Sequence, residues 1–122
     1  MRIRIEAHPL LHAHVFVTHF AGPLGQLTSL SEIRRHFTAG AETPFKEDAG
    51  LKKDIRDMLR HGGFRPSGRS KPASEYLLKA LEKGWFSPEK GINAAVDICN
   101  VVSLHSGLPI SVLDLELCSP PL

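Results

Sequence analysis

Four of the seven histidines, His8, His12, His14 and His19, fall within twelve residues of one another. On an extended backbone His12 and His14 project to the same side, so they could chelate one metal ion. A zinc site needs one or two further ligands, and no Cys-x-x-Cys or His-Glu-x-x-His run supplies them. The reading adopted is polar side chains on the solvated face of a strand, with no metal and no cofactor. Nor does the chain carry a Gly-x-Ser-x-Gly elbow, a phosphate-cradling loop or a dinucleotide fingerprint. Cys99, between Ile98 and Asn100, suits a small core residue better than a nucleophile, because no base can be placed beside it.

A second cluster is basic. Residues 60–71, Arg-His-Gly-Gly-Phe-Arg-Pro-Ser-Gly-Arg-Ser-Lys, hold four cations, one histidine, one aromatic and no acid. Arg60, Arg65, Arg69 and Lys71 could neutralise phosphates while Phe64 stacks on an unpaired base. The same composition also suits a solvated, flexible loop. Charge is unevenly spread along the chain. Residues 1–50 carry five basic and five acidic groups, residues 51–90 ten and five, and residues 91–122 none and three. A net charge of +2 does not by itself argue for nucleic acid, but a basic middle beside an acidic end marks where such contact would fall.

The elements that must position these groups can be read from periodicity. Residues 1–6 alternate apolar and charged, as an edge strand does. In residues 11–20, Leu11, Ala13, Val15 and Val17 share one face and His12, His14, Phe16 and Thr18 the other, which predicts a half-buried strand ended by Gly22-Pro23. A helix stays open there, since Leu11 and Val15 are also four apart. Ser31, Ile33 and Phe37 suggest a short capped helix ending near Gly40. Residues 46–61 form a clearer helix with a Leu51, Ile55, Met58 and Leu59 stripe, closed by Gly62-Gly63. A third runs over 73–83, with Tyr76, Leu77, Ala80 and Leu81 inward. The last begins at Asn93 as cap, carries Asp97 in its first turns and stops at Gly107 and Pro109. Residues 110–117 then alternate as a strand.

The order β-β-α-α-α-α-β predicts an α+β domain, a mixed sheet of few strands packed with about four helices. At 122 residues, one domain is expected. A hydrophobic fraction of 42% excludes global disorder, and two cysteines exclude a disulfide-dense miniprotein. No secretory leader or membrane-length apolar run is visible, so a soluble, cytoplasmic protein with reduced thiols is expected. Three strands are few for a self-sufficient sheet.

From residue 63 to 117 the sequence resembles the first half of the B3/B4 domain of the phenylalanyl-tRNA synthetase beta chain, closest to free-standing proteins that carry this domain alone. The resemblance rests on Arg65-Pro66-Ser67 and on Pro72-Ala73-Ser74-Glu75-Tyr76-Leu77-Leu78 ahead of a helix. It continues through Ile92-Asn93-Ala94-Ala95-Val96-Asp97-Ile98-Cys99-Asn100, then Gly107-Leu108-Pro109-Ile110 and Asp114-Leu115. Most of the matched residues (Asn93, Asp97, Asn100, Gly107, Pro109 and Asp114) have structural chemistry: a cap, polar groups on an apolar helix that need partners, and a turn.

What the resemblance implies is hydrolysis of tyrosine wrongly attached to phenylalanine-specific tRNA, an editing step needed where binding alone cannot reject a near neighbour. The family commonly has a histidine two residues after the turn proline, where this chain has Ser111. Its editing glutamate lies in a downstream part of the domain that residues 1–122 do not contain. Hydrolysis would therefore have to use water positioned by His105, Ser111 or Asp114. The expectation is a B3/B4-related tRNA module without full editing activity, or a protein- or RNA-binding assembly module that has lost the pocket. An incomplete domain further implies an exposed sheet edge or apolar patch, and a second copy or another chain completing the unit.

Overall fold

The computed structural model describes residues 3–27, 31–38, 40–46, 48–67, 70–85, 89 and 91–119. Among these residues there are four α-helices, α1 (Ser31–Arg34), α2 (Leu51–His61), α3 (Ala73–Glu82) and α4 (Ala94–Ser106), and one 3-10 turn, Leu24–Gln26. The helix order expected from periodicity is observed. The expected mixed sheet is not: the described residues contain no strand, only two isolated bridges, His8 with Leu11 and Ser67 with Ser70. The α+β assignment is therefore corrected, for the described residues, to a mostly helical arrangement with irregular connections.

The reason lies in pairing. Alternation is a property of one segment, whereas a strand needs a neighbour for its N–H and C=O groups. Residues 11–20 are exposed throughout, with Val15 at 53% and Phe16 at 86%, so neither face of the alternation is covered. The segment at 110–117 fares similarly. Residues 110–114 carry no regular structure, and a turn follows in which the Leu117 N–H donates to the Asp114 carbonyl at 3.2 Å. No helix among the described residues is long and apolar enough to cross a membrane.

Helix α4 is the hub, packing against α3, α1 and the 3-10 turn. Its start and stop are locally encoded. Asn93 is extended and its side-chain oxygen accepts the Val96 N–H at 3.0 Å, while Gly107 ends the helix at φ 72°, a left-handed conformation that glycine adopts without strain. Helix α2 starts at Leu51, five residues later than the periodicity predicts. The Asp48 carboxylate accepts the Gly50 N–H at 2.8 Å and holds the preceding residues in a turn instead. Helix α1 has only four residues and could not persist alone, so it exists because α4 holds it.

Among the described residues the buried apolar side chains are Phe37, Ile55, Ala94 and Leu104, with Pro66 and Pro72 buried beside the loop after α2. Leu77, Ala80 and Leu81 of α3 are half-buried or at its packed side as expected, but Tyr76 is turned outward and 45% exposed.

Candidate nucleic-acid interface

The residues of the α4 motif fix the helix to the chain around it. Asp97 is fully buried, and its carboxylate accepts from Arg34 Nε at 2.9 Å and from the Ile92 N–H at 2.9 Å. The first bond is a charge-assisted tie from α4 to α1; the second fixes the chain just before the Asn93 cap. The arginine side chain also lies against Gly91, where any Cβ would run into its guanidinium. At the other end of α4, buried Ser103 donates its hydroxyl to the Leu108 carbonyl at 2.7 Å, and the Gly107 N–H donates to the Ser103 carbonyl at 3.0 Å. Asn100 is half-buried and Pro109 exposed. Sequence reading finds Asp97 but not Arg34, 63 positions away. The available signal is general: a buried carboxylate needs a cation, and only a fold can say which one.

No hydrogen bond joins the three residues considered for hydrolysis among the described residues. His105 Nε2 lies 2.7 Å from the His36 carbonyl oxygen. A carbonyl can only accept, so Nε2 carries the proton and is committed to holding the turn after α1 against α4. The His36 and His105 rings meet edge to face, 6.5 Å between centroids. Ser111 and Asp114 are both exposed. Asp114 accepts the Glu116 N–H at 3.0 Å through its own carboxylate, the bond of a turn former. Cys99 donates weakly to the Ile110 carbonyl at 3.6 Å, and burial pushes its thiol above the ordinary range, which disfavours the nucleophilic thiolate.

The basic middle of the chain is partly neutralised from within. Arg56 grips Glu75 through two parallel bonds of 2.8 Å each, tying α2 to α3. Lys52 stands 4.0 Å from the same carboxylate. Hydrogen bonding from Arg56 holds the Glu75 carboxyl below its ordinary value, against a smaller opposing effect of burial. Asp57 likewise pairs with Lys53 at 2.8 Å and with Arg60 at 2.7 Å. Arg60 is thus less available to phosphate than its position in the loop sequence implies.

The loop after α2 retains more of its expected character. Phe64 is 41% exposed, Arg65 is exposed without a carboxylate partner among the described residues, and Lys71 is half-buried. Buried Pro66 and Pro72 and a 2.9 Å bond from the Ser70 N–H to the Ser67 carbonyl anchor the loop. Arg69 lies outside the described residues. The N-terminal histidines are exposed at positions 12, 14 and 19, while His8 meets His61 edge to face at 4.9 Å. Among the described residues no three side chains of metal-binding type are gathered.

No family model matches this chain, and neither the curated proteins nor the solved structures contain a significant match to it.

Proposed function

We propose that this chain is an RNA-binding module related to the B3/B4 editing unit of phenylalanyl-tRNA synthetase, acting by contact with tRNA and not by hydrolysis. The observation that carries the reading is the anchored loop, in which exposed Phe64 and exposed Arg65 are presented together ahead of α3. A stacking ring beside a guanidinium is the chemistry that holds unpaired nucleotides. The bonds of Asn93, Asp97 and Gly107 build a scaffold, the structural role that their chemistry leads one to expect of the motif residues. Against hydrolysis stand the commitment of His105 to a backbone carbonyl and the exposure of Ser111 and Asp114, neither of which is hydrogen-bonded to His105 among the described residues.

The test is retention of tRNA as a function of salt. Arg65→Ala together with Lys71→Ala should weaken binding and flatten the plot of log affinity against log salt by roughly one to two, about one for each phosphate no longer neutralised. Tyrosine-charged phenylalanine tRNA should be deacylated no faster than background. Binding indifferent to salt and to both substitutions would sink the RNA reading, and deacylation above background would sink the non-hydrolytic part.

A second reading, assembly with a second copy or another polypeptide, is favoured by one quantity. The chain exposes 9579 Å² of surface, where a compact monomer of its size would expose about 6,500 Å². The exposed apolar side chains include Leu11, Val15, Phe16 and Val17.

A further inference from the structure

The outer face of α3 differs in composition from an ordinary solvated helix face. At 100° per residue, Tyr76, Lys79 and Lys83 fall within about 60° of one another, a single stripe along the helix. Tyr76 is 45% exposed, and Lys79 and Lys83 are both exposed. Beyond the helix end, Gly84 takes φ 66° and turns the chain so that Trp85 comes back beside the stripe, its N–H donating to the Ala80 carbonyl at 2.9 Å. Lys83 Nζ then sits 4.3 Å from the centre of the Trp85 ring. Neither Lys79 nor Lys83 has a carboxylate partner among the described residues, in contrast to the cations of α2. Two acids of α3 flank Lys79, Glu75 four residues before it and Glu82 three residues after it; Glu75 is engaged by Arg56, and exposed Glu82 forms no ion pair with either lysine among the described residues.

An exposed indole is costly to leave in water, and Trp85 is 66% exposed. The contact with Lys83 accounts for one ring face only, and no other ring lies against it among the described residues. Two flat aromatic surfaces, separated along one helix face by two ammonium groups that have no carboxylate partner among the described residues, complement a chain that alternates flat bases with phosphates. Lys79 and Lys83 are about 6 Å apart along the axis, the scale of a single nucleotide step. Duplex nucleic acid would offer the phosphates but not the base faces.

We propose that the Tyr76, Lys79, Lys83 and Trp85 face is a binding surface for single-stranded RNA, with bases stacked on the two aromatic rings and phosphates on the two lysines. The proposal rests on the reading that this chain contacts RNA, and adds a surface separate from the Phe64–Arg65 loop.

Trp85 is the only tryptophan, so its emission reports on this face alone. The experiment titrates the full chain with a single-stranded oligouridylate and with a duplex RNA of equal length, reading Trp85 fluorescence and, independently, anisotropy of a labelled RNA. The expected result is quenching by the single strand and not by the duplex. Lys79→Ala with Lys83→Ala should lower the salt slope for the single strand by roughly 1.4. Tyr76→Ala should weaken binding by about 5- to 150-fold. Tyr76→Phe, which keeps the ring, should restore it, and helix content by circular dichroism checks that each variant is folded. If the labelled RNA binds but Trp85 is not quenched and the lysine pair has no effect, this surface is refuted while the loop reading stands. If neither RNA binds at low salt, both fall. Quenching by an acidic peptide but not by RNA would also overturn the proposal.

Discussion

Replacing Arg34 by Met tests whether the contact between α1 and α4 is held by a buried charge pair. Methionine keeps an apolar stem of similar reach but removes the guanidinium. It leaves Asp97, with no exposed surface, accepting only the Ile92 N–H among the described residues. Removing one partner of a buried pair costs about 3–5 kcal/mol, whereas an exposed pair is worth about 0–1 kcal/mol. Because the arginine side chain is 24% exposed, water reaches part of the site and the lower end, about 3 kcal/mol, is expected. The assay is urea unfolding followed by helical circular dichroism. With a slope of about 1–3 kcal/mol per M, the midpoint should fall by at least about 1 M. Asp97→Asn makes the companion measurement. Its amide oxygen can still accept the Ile92 N–H and the arginine can turn to water, so the loss should be smaller, about 1–2 kcal/mol. The reasoning is refuted if Arg34→Met costs less than about 1 kcal/mol, or if Asp97→Asn costs more than Arg34→Met.

Two further outcomes follow from the same chemistry. Gly107→Ala should destabilise more than Gly84→Ala: both positions have positive φ, but only at 107 would the new Cβ meet another side chain, Leu51 Cδ2 at 3.0 Å. Thermal unfolding of the two variants side by side measures the difference, and equal losses would mean that Leu51 yields freely. Glu75 has its carboxyl lowered by Arg56, and Asp57 by Lys53, so the folded state binds these protons less readily than the unfolded chain. Their contribution is present above the ordinary carboxylate values of 4.5 and 3.8 and is lost as pH falls below them. Stability measured from about pH 7 to 3 should therefore decline, and Glu75→Gln should make the decline shallower; an unchanged slope would refute the linkage.

What can be read in advance depends on how local its cause is. The apolar stripe of α2, with Ile55 buried as its centre, needs only a helical period of about 3.6 residues. Asn93 and Gly107 mark the limits of α4 because a cap and a left-handed glycine act within about four residues. Periodicity misplaces the start of α2 for a reason of the same kind, the Asp48 to Gly50 bond, which it does not register. The candidate hydrolytic residues are legible as types but not as a group. His105 falls on a helix as the sequence implies, while its bond to His36, 69 positions away, decides what the imidazole can do.

The amino-acid sequence by itself thus determined where most helices begin and end, where the charge lies and which loop carries the exposed arginine. Tertiary structure decided the rest: that alternating segments would stay unpaired, that Asp97 would be buried against Arg34, and that Tyr76 and Trp85 would face outward beside two lysines. The physical reason is range. Caps, turns and helical periodicity act over a few residues, whereas strand pairing and the partnering of a buried charge need a second segment, and only the folded chain selects it.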